Sequence, residues 1–248
     1  SNVMHPFLSL GHFNVAVYGL CIIVGLGAGL LTAVLKASSF NIDKQDALFS
    51  LLYGAIGLVI GGKICYIVVS IKYIVSILPV YGIEPVLRGG FIFYGGVGGA
   101  ALAVFIYARQ YRISCTSLIS LLFFITPLVH SFGRLGCFFA GCCYGIPWDG
   151  WCAVFLHGQN RLPVQLIESV FNFLLFAVLF MLSYFKKFIR FLPYIYLLCY
   201  SVFRFIIEFF RADAERGAIG TFSTSQWISL LIIAAVLTYQ IYSNIKRR

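Results

Sequence analysis

Seven apolar stretches follow one another through this chain of 248 residues, at about 13–35, 46–71, 91–109, 117–140, 165–185, 193–210 and 225–243. Each is near the roughly 20 residues that a helix needs to cross a hydrocarbon layer. No water is available there to satisfy backbone groups, so a spanning segment must be a helix or part of a closed barrel. The runs are continuous and do not alternate, which speaks against a barrel. Only 10% of the residues are charged, against about 25% in soluble domains, so the chain cannot cover itself with a polar surface. An all-α, polytopic integral membrane protein is expected, with about seven transmembrane helices in one transmembrane domain over residues 1–248.

Basic residues in loops set orientation. With the N-terminus outside, the inner loops carry Lys36, Lys44, Arg109, Arg112, Lys186, Lys187, Arg190, Lys246, Arg247 and Arg248. The outer loops hold Lys72, Arg88, Arg161, Arg211 and Arg216. The bias predicts an outer N-terminus and a cytoplasmic C-terminus. It also gives the formal charge of +10 a topological reason, since the cations sit scattered at helix ends and form no nucleic-acid patch. Ser1–Gly11 lack Lys and Arg and read as no cleavable leader.

Ionisable groups at membrane depth are costly and mark functional sites by default. Four groups recur here: Lys63 after Gly61-Gly62; Tyr94 before Gly95-Gly96; Arg134 in Gly133-Arg134-Leu135-Gly136; and Arg204, Glu208 and Arg211 on one segment. The last three, spaced by four and three, share a helix face. An Arg204–Glu208 ion pair that merely holds helices accounts for the pair. It leaves Arg134 and Lys63, and surplus cations in lipid require an anion. A phospholipid phosphate suits them, because guanidinium forks bind phosphate oxygens bidentately.

The paired glycines serve either close helix packing or a broken backbone lining a polar cavity. Gln165 and Glu168 open the fifth stretch and either cap it or line the same cavity. The outer loops at about 72–90 and 141–164 are the longest; the second carries Pro147, Trp148, Asp149, Trp151, His157 and Arg161. It either covers a site or lies at the interface, where tryptophans commonly anchor.

Cysteines stand at 21, 65, 115, 137, 142, 143, 152 and 199. The spacing is not that of a secreted disulfide framework. Three readings stand for the cluster Cys137, Cys142, Cys143, with Cys152 at its margin: thiols packed as small hydrophobes, a nucleophilic thiolate beside Arg134, or a metal site or a disulfide, the latter through Cys137 or Cys152. For a metal, the spacing to His130 and His157 matches no standard zinc finger or ribbon; no metal and no cofactor are expected.

Six ordered motifs resemble those of the bacterial prolipoprotein diacylglyceryl transferases. Tyr18-Gly19-Leu20 looks like that family's opening motif and Gly61-Gly62-Lys63 like its Gly-Gly-Arg. Gly89-Gly90 through Tyr94-Gly95-Gly96 is similar to its Gly-Gly-x-x-x-(His or Tyr)-Gly-Gly. Gly133-Arg134-Leu135-Gly136 resembles the start of its signature. Arg161-Leu162-Pro163-Val164-Gln165-Leu166-Ile167-Glu168 is similar to its Arg-His-Pro-x-Gln-Leu-Tyr-Glu. Phe203-Arg204-Phe205-Ile206-Ile207-Glu208-Phe209-Phe210-Arg211 resembles its Phe-Arg-x-x-x-Glu-Phe-x-Arg, with Ser225-Gln226 following.

The resemblance implies transfer of a diacylglyceryl group from phosphatidylglycerol to the lipobox cysteine of a prolipoprotein, with release of glycerol phosphate. It implies a seven-helix protein of the bacterial plasma (inner) membrane, its site open to the outer face, without metal. Arg134 and Arg204 would hold the phosphate and Tyr94 would lie near the reacting groups. Glu208 would orient Arg204. Lys63, Gly95, Gly136, Gln165, Glu168 and Arg211 would contact substrate.

The signature departs from the family's Gly-Asn-Phe-x-Asn-Gly-Glu, reading Gly136-Cys137-Phe138-Phe139-Ala140-Gly141-Cys142. Thiols stand where polar headgroup contacts belong. Two alternatives to the family activity follow. One is a branch in which Cys137 or Cys142 is catalytic, through a covalent or redox step toward another acceptor. The other is a lipid-binding protein without turnover.

Overall fold

The computed structural model describes residues 7–10, 13–84, 86, 90, 92–212 and 218–246. Helices dominate it, and six are long and apolar enough to cross a membrane: Val17–Phe40, Lys44–Val69, Cys115–Ala140, Val164–Leu182, Leu192–Phe210 and Thr224–Ser243. The chain is a multi-pass helical membrane protein. The third expected stretch is also a helix, Phe93–Gln110. Its opening glycines (Gly95, Gly96, Gly98, Gly99) and its polar end at Arg109 and Gln110 dilute its apolar character, and it does not join the six. Expectation and structure also differ at 72–90. The structure builds an apolar helix, Ile71–Tyr81, where Lys72 suggests the start of a polar loop. Arg88, Gly89, Phe91, Arg216, Arg247 and Arg248 lie outside the described residues.

Two compact units divide the chain, residues 33–119 forming one and residues 1–32 with 120–248 the other. In the first, helices Lys44–Val69 and Phe93–Gln110 pack through glycines. A Cβ on Gly61 would sit against the Gly95 carbonyl oxygen and 2.8 Å from the Gly99 Cα. One on Gly95 would meet the Cys65 Cβ. Backbones this close leave no room for side chains, the usual means by which helices associate where lipid removes the hydrophobic drive. Gly61 and Gly95 therefore take the packing role. Near the other end of this pair the Tyr107 hydroxyl donates to Asp46 Oδ1 at 2.9 Å. Lys63 lies with its Nζ 5.4 Å from the centre of the Tyr66 ring. Tyr94 stands in the first turn of Phe93–Gln110; its side chain lies outside the described residues.

In the second unit the central elements are Cys115–Ala140, Val164–Leu182 and Leu192–Ile207. The first two are joined by small polar groups: the Ser169 hydroxyl donates to the Ser131 carbonyl at 2.8 Å. Phe171 and Phe203 stack at 3.9 Å between ring centres and join the second to the third. The C-terminal helix, Thr224–Lys246, is held by Gln226, whose amide donates to the Phe205 carbonyl at 3.3 Å, and by stacked Tyr194 and Tyr239.

Between Ala140 and Val164 the chain leaves the helices and forms a small hairpin, Val154–Leu156 with Gln159–Arg161. Isolated bridges tie Pro147 to Arg161 and Gly145 to Arg211. The Ile146 amide donates to the Phe210 carbonyl and the Ala212 amide to that of Tyr144. This segment is thereby laced to the end of Leu192–Ile207. The buried Arg161 pins it from within, donating to the carbonyls of Leu156 at 3.3 Å and Gly145 at 3.1 Å and stacking on Tyr144. Trp151 is fully exposed.

Candidate active site

The polar residues of the second unit lie on three helix faces. His130, Arg134 and Cys137 follow one another at spacings of four and three on Cys115–Ala140. Gln165, Glu168 and Asn172 are spaced by three and four on Val164–Leu182, and Tyr196, Tyr200, Arg204 and Glu208 by four throughout on Leu192–Phe210. Residues so spaced project from one side of a helix, and the three faces converge on Glu168.

Glu168 is 1% exposed. Its Oε2 lies 2.8 Å from Arg134 Nη2 and 3.4 Å from Arg204 Nη1. Its Oε1 accepts from the Tyr200 hydroxyl at 2.9 Å and stands 3.7 Å from His130 Nε2. The ring of His130 meets that of Tyr200 edge-on, centres 5.0 Å apart. Asn172 donates to the Glu168 carbonyl at 2.8 Å. Glu208 makes a second ionic node, with Oε2 3.0 Å from Arg204 Nη2 and 4.0 Å from Arg211 Nε. Arg204 also donates to the Ser225 hydroxyl at 3.3 Å.

Three guanidiniums (Arg134, Arg204, Arg211) thus share two carboxylates, a surplus of one positive charge. The sequence leaves Arg134 without a protein partner; the structure corrects this, for Glu168 neutralises it. Glu168 is the hub of the cluster. Its oxygens do not exhaust Arg134, however. Arg134 is 8% exposed, and its Nε and Nη2 make no hydrogen bond among the described residues. The ion pair is close, but the N–H bonds are not aimed at it. Buried donors left so cost about 1–3 kcal/mol each, more when charged.

Gln165 is fully buried, and its amide donates to the Cys142 carbonyl at 2.7 Å. Its Oε1 has no hydrogen-bond partner among the described residues. Gly136 lies against Tyr18 and Cys21, where a Cβ would stand 3.1 Å from the Tyr18 ring. All eight cysteines are free, and Cys137, Cys142 and Cys143 gather with their Sγ atoms within 4.8 Å of one another. Arg134 Nη1 lies 4.0 Å from the Cys137 Sγ. Beyond the end of the helix, the Cys143 thiol is held well below the ordinary thiol range. The cause is hydrogen bonding from Cys137, then Cys142, with the charges of Arg134 and Arg211 adding to it against burial.

The structure therefore brings together Arg134, Arg204, Glu168, Glu208, Arg211, Gln165, Gly136, Cys137 and Cys142 from the expected set. Lys63, Tyr94 and Gly95 belong to the other unit. Tyr200 and Asn172 escaped the sequence reading. Their spacing of four from Arg204 and from Glu168 was the available signal, and aromatic or amide residues in an apolar stretch did not call attention to it.

A model of one protein family, described as Prolipoprotein diacylglyceryl transferase, matches residues 6–242. The chain belongs to the prolipoprotein diacylglyceryl transferase family. Among proteins it resembles, a phosphatidylglycerol–prolipoprotein diacylglyceryl transferase of Clostridium tetani is 34% identical, covering 92% of this chain and 94% of that one. The transferase 2 of Clostridium perfringens is 30% identical over 92% of each. That of Geobacter sulfurreducens is 32% identical over 94% of this chain and 92% of its own. In this member of the prolipoprotein diacylglyceryl transferases, the ionic cluster around Glu168 lies within the matched region, as do the three thiols.

Proposed function

We propose that this chain transfers a diacylglyceryl group from phosphatidylglycerol to the cysteine thiol of a prolipoprotein, with Arg134 and Arg204 holding the phosphate. The names of its relatives supply the reaction. The observation that carries the arginine role is buried Arg134, whose Nε makes no hydrogen bond among the described residues while Glu168 stands at its Nη2. A phosphate diester supplies an anionic oxygen of the kind that Nε lacks.

The acceptor sulfur forms a bond to the glyceryl carbon as the bond from that carbon to the phosphate oxygen breaks. The bonding pair leaves on glycerol phosphate, and the thiol proton is released to solvent. Charge grows on the departing phosphate, where preorganised guanidiniums stabilise it more than in the ground state. Glu168 fixes both arginines at one point, and Glu208 orients Arg204 from the other side. Gln165 would accept from the lipid headgroup through its Oε1, which has no hydrogen-bond partner among the described residues, with Gly136 and Arg211 flanking the lipid. The nucleophile is the prolipoprotein's own cysteine, so no thiol of this chain takes the lipid. The protein works in the bacterial plasma membrane, N-terminus outside and C-terminus cytoplasmic, with the site open to the outer face.

Purified protein in nanodiscs, given phosphatidylglycerol and a lipobox peptide, tests this. The peptide should gain one diacylglyceryl unit while glycerol phosphate is released, and Arg134→Ala should slow this by about 10²–10³-fold. An unmodified peptide from folded, lipid-bound protein would overturn the reading.

A further inference from the structure

The helix Cys115–Ala140 ends in a turn that folds its last cysteine back over its own final turn. Gly141, at φ +70°, takes the left-handed position, and its amide donates to the Phe138 carbonyl at 3.1 Å while that of Cys142 donates to the Cys137 carbonyl at 3.2 Å. This pair of bonds is the Schellman closure of a helix. It places Cys142, five residues on, beside Cys137. Cys143 follows with φ +59°, a conformation that costs a non-glycine residue energy and recurs at functional sites. The outcome is three thiols converging from one turn.

Their Sγ atoms lie within 4.8 Å of one another. Three thiolates around a zinc ion, at a Zn–S bond of about 2.3 Å, stand about 3.8–4.0 Å apart. Rotation about the thiol side chains covers the difference. All three are free, and Cys142 is exposed while the other two are half-buried, so an ion can enter. Soft thiolate sets select zinc or copper(I) over hard cations. A divalent ion with three thiolates carries one negative charge, and the Arg134 guanidinium at 4.0 Å from Cys137 offsets it. The His157 Nε2 is taken up by the Gly141 carbonyl at 2.6 Å, so it does not supply a fourth ligand in this conformation.

We infer that Cys137, Cys142 and Cys143 form a three-thiolate site for a thiophilic d¹⁰ cation of the zinc class, with its fourth coordination position open. The diacylglyceryl transfer does not require the ion, although both readings draw on Arg134. Spacing along the sequence concealed the site: standard zinc patterns draw four ligands from two separated pairs, whereas here one helix terminus supplies three.

Cobalt(II) reports such a site without any assay of activity, through thiolate-to-cobalt charge-transfer absorption in the near ultraviolet. Full-length protein, reduced and stripped by chelator in detergent, should develop that band to saturation at one equivalent of cobalt(II), and zinc(II) should bleach it. Losing an outer-shell partner typically weakens metal binding about 10–100-fold, so C137S, C142S and C143S should each cost at least that much. C152S and C199S should bind as the parent does. Should a serine variant fail to fold, the parent chain still decides the matter. Zinc(II) should then protect Cys137, Cys142 and Cys143, but not Cys199, from maleimide as read by peptide mass. No band in the reduced protein, a band unchanged in all three variants, or equal labelling with and without zinc(II) would overturn the inference.

Discussion

Arg134 and Arg204 reach the same oxygen of Glu168, at 2.8 and 3.4 Å, although they come from helices 70 residues apart in sequence. A carboxylate that is 1% exposed and shared by two guanidiniums sets their separation, and with it the spacing of any anion they hold together. Removing that charge leaves two buried cations facing each other, which in buried pairs costs about 3–5 kcal/mol. Glu168→Gln, which keeps the shape, should therefore unfold at a clearly lower temperature in detergent. Its phosphatidylglycerol turnover should fall as well. A variant as stable as the parent would show that the carboxylate does not organise the arginines.

Tyr200 should couple to Glu168 by a measurable amount. Its hydroxyl donates at 2.9 Å to the oxygen that the arginines leave free. A hydrogen bond to a charged group contributes about 1.5–3 kcal/mol, and phenylalanine removes it without opening a cavity. Tyr200→Phe should destabilise by that order in the parent and by markedly less in Glu168→Gln. Additive losses in the double-mutant cycle would mean the two groups act separately.

Much of this site is legible along the chain because helical spacing survives in sequence. The ladder 204–208–211 can be read from residue numbers alone, and the Arg204–Glu208 ion pair at 3.0 Å is where its spacing of four predicts. Which carboxylate meets Arg134 is another matter. That depends on how Cys115–Ala140, Val164–Leu182 and Leu192–Ile207 seat against one another through Ser131, Ser169, Phe171 and Phe203, none of which announces its partner. The glycine-rich Phe93–Gln110 helix shows a different limit. Its sequence reads as a span by position, yet its glycines serve closeness to a neighbouring helix, and it is not among the six helices apolar enough to cross a membrane. The thiols show a third: a left-handed turn at Gly141 converts a spacing of five into contact.

The glycine seam of the first unit should tolerate nothing larger. A Cβ on Gly61 would meet the Gly95 carbonyl oxygen and would stand 3.0 Å from the Gly99 nitrogen, both backbone atoms that cannot rotate away. Overpacking of this kind costs about 1–3 kcal/mol or more. Gly61→Val should lower the melting midpoint by several degrees, at about 2–4 °C per kcal/mol for a chain of this size. Gly19→Ala, where nothing lies within 4 Å, serves as the control and should leave it unchanged. Equal midpoints would dismiss the packing role of the seam.

Arg161 should act on the loop and not on the chemistry. Its guanidinium, 9% exposed, donates to the carbonyls of Leu156 and Gly145 and lies 4.4 Å above the Tyr144 ring, so it holds the hairpin and the segment after Gly141 as one piece. Lysine has a single ammonium and no planar fork, and it cannot reproduce this set of contacts. Arg161→Lys should leave two buried carbonyls poorly satisfied, at about 1–3 kcal/mol. The loss should appear locally. The Ile146 and Leu162 amides, bonded to Phe210 and Ile146 respectively, should exchange with deuterium roughly tenfold faster or more, since about 1.4 kcal/mol of local stability corresponds to a factor of ten. Amides inside Val164–Leu182 should keep their protection. Uniformly faster exchange along that helix would show that Arg161 supports the whole unit, and unchanged exchange at Ile146 would show that it pins nothing.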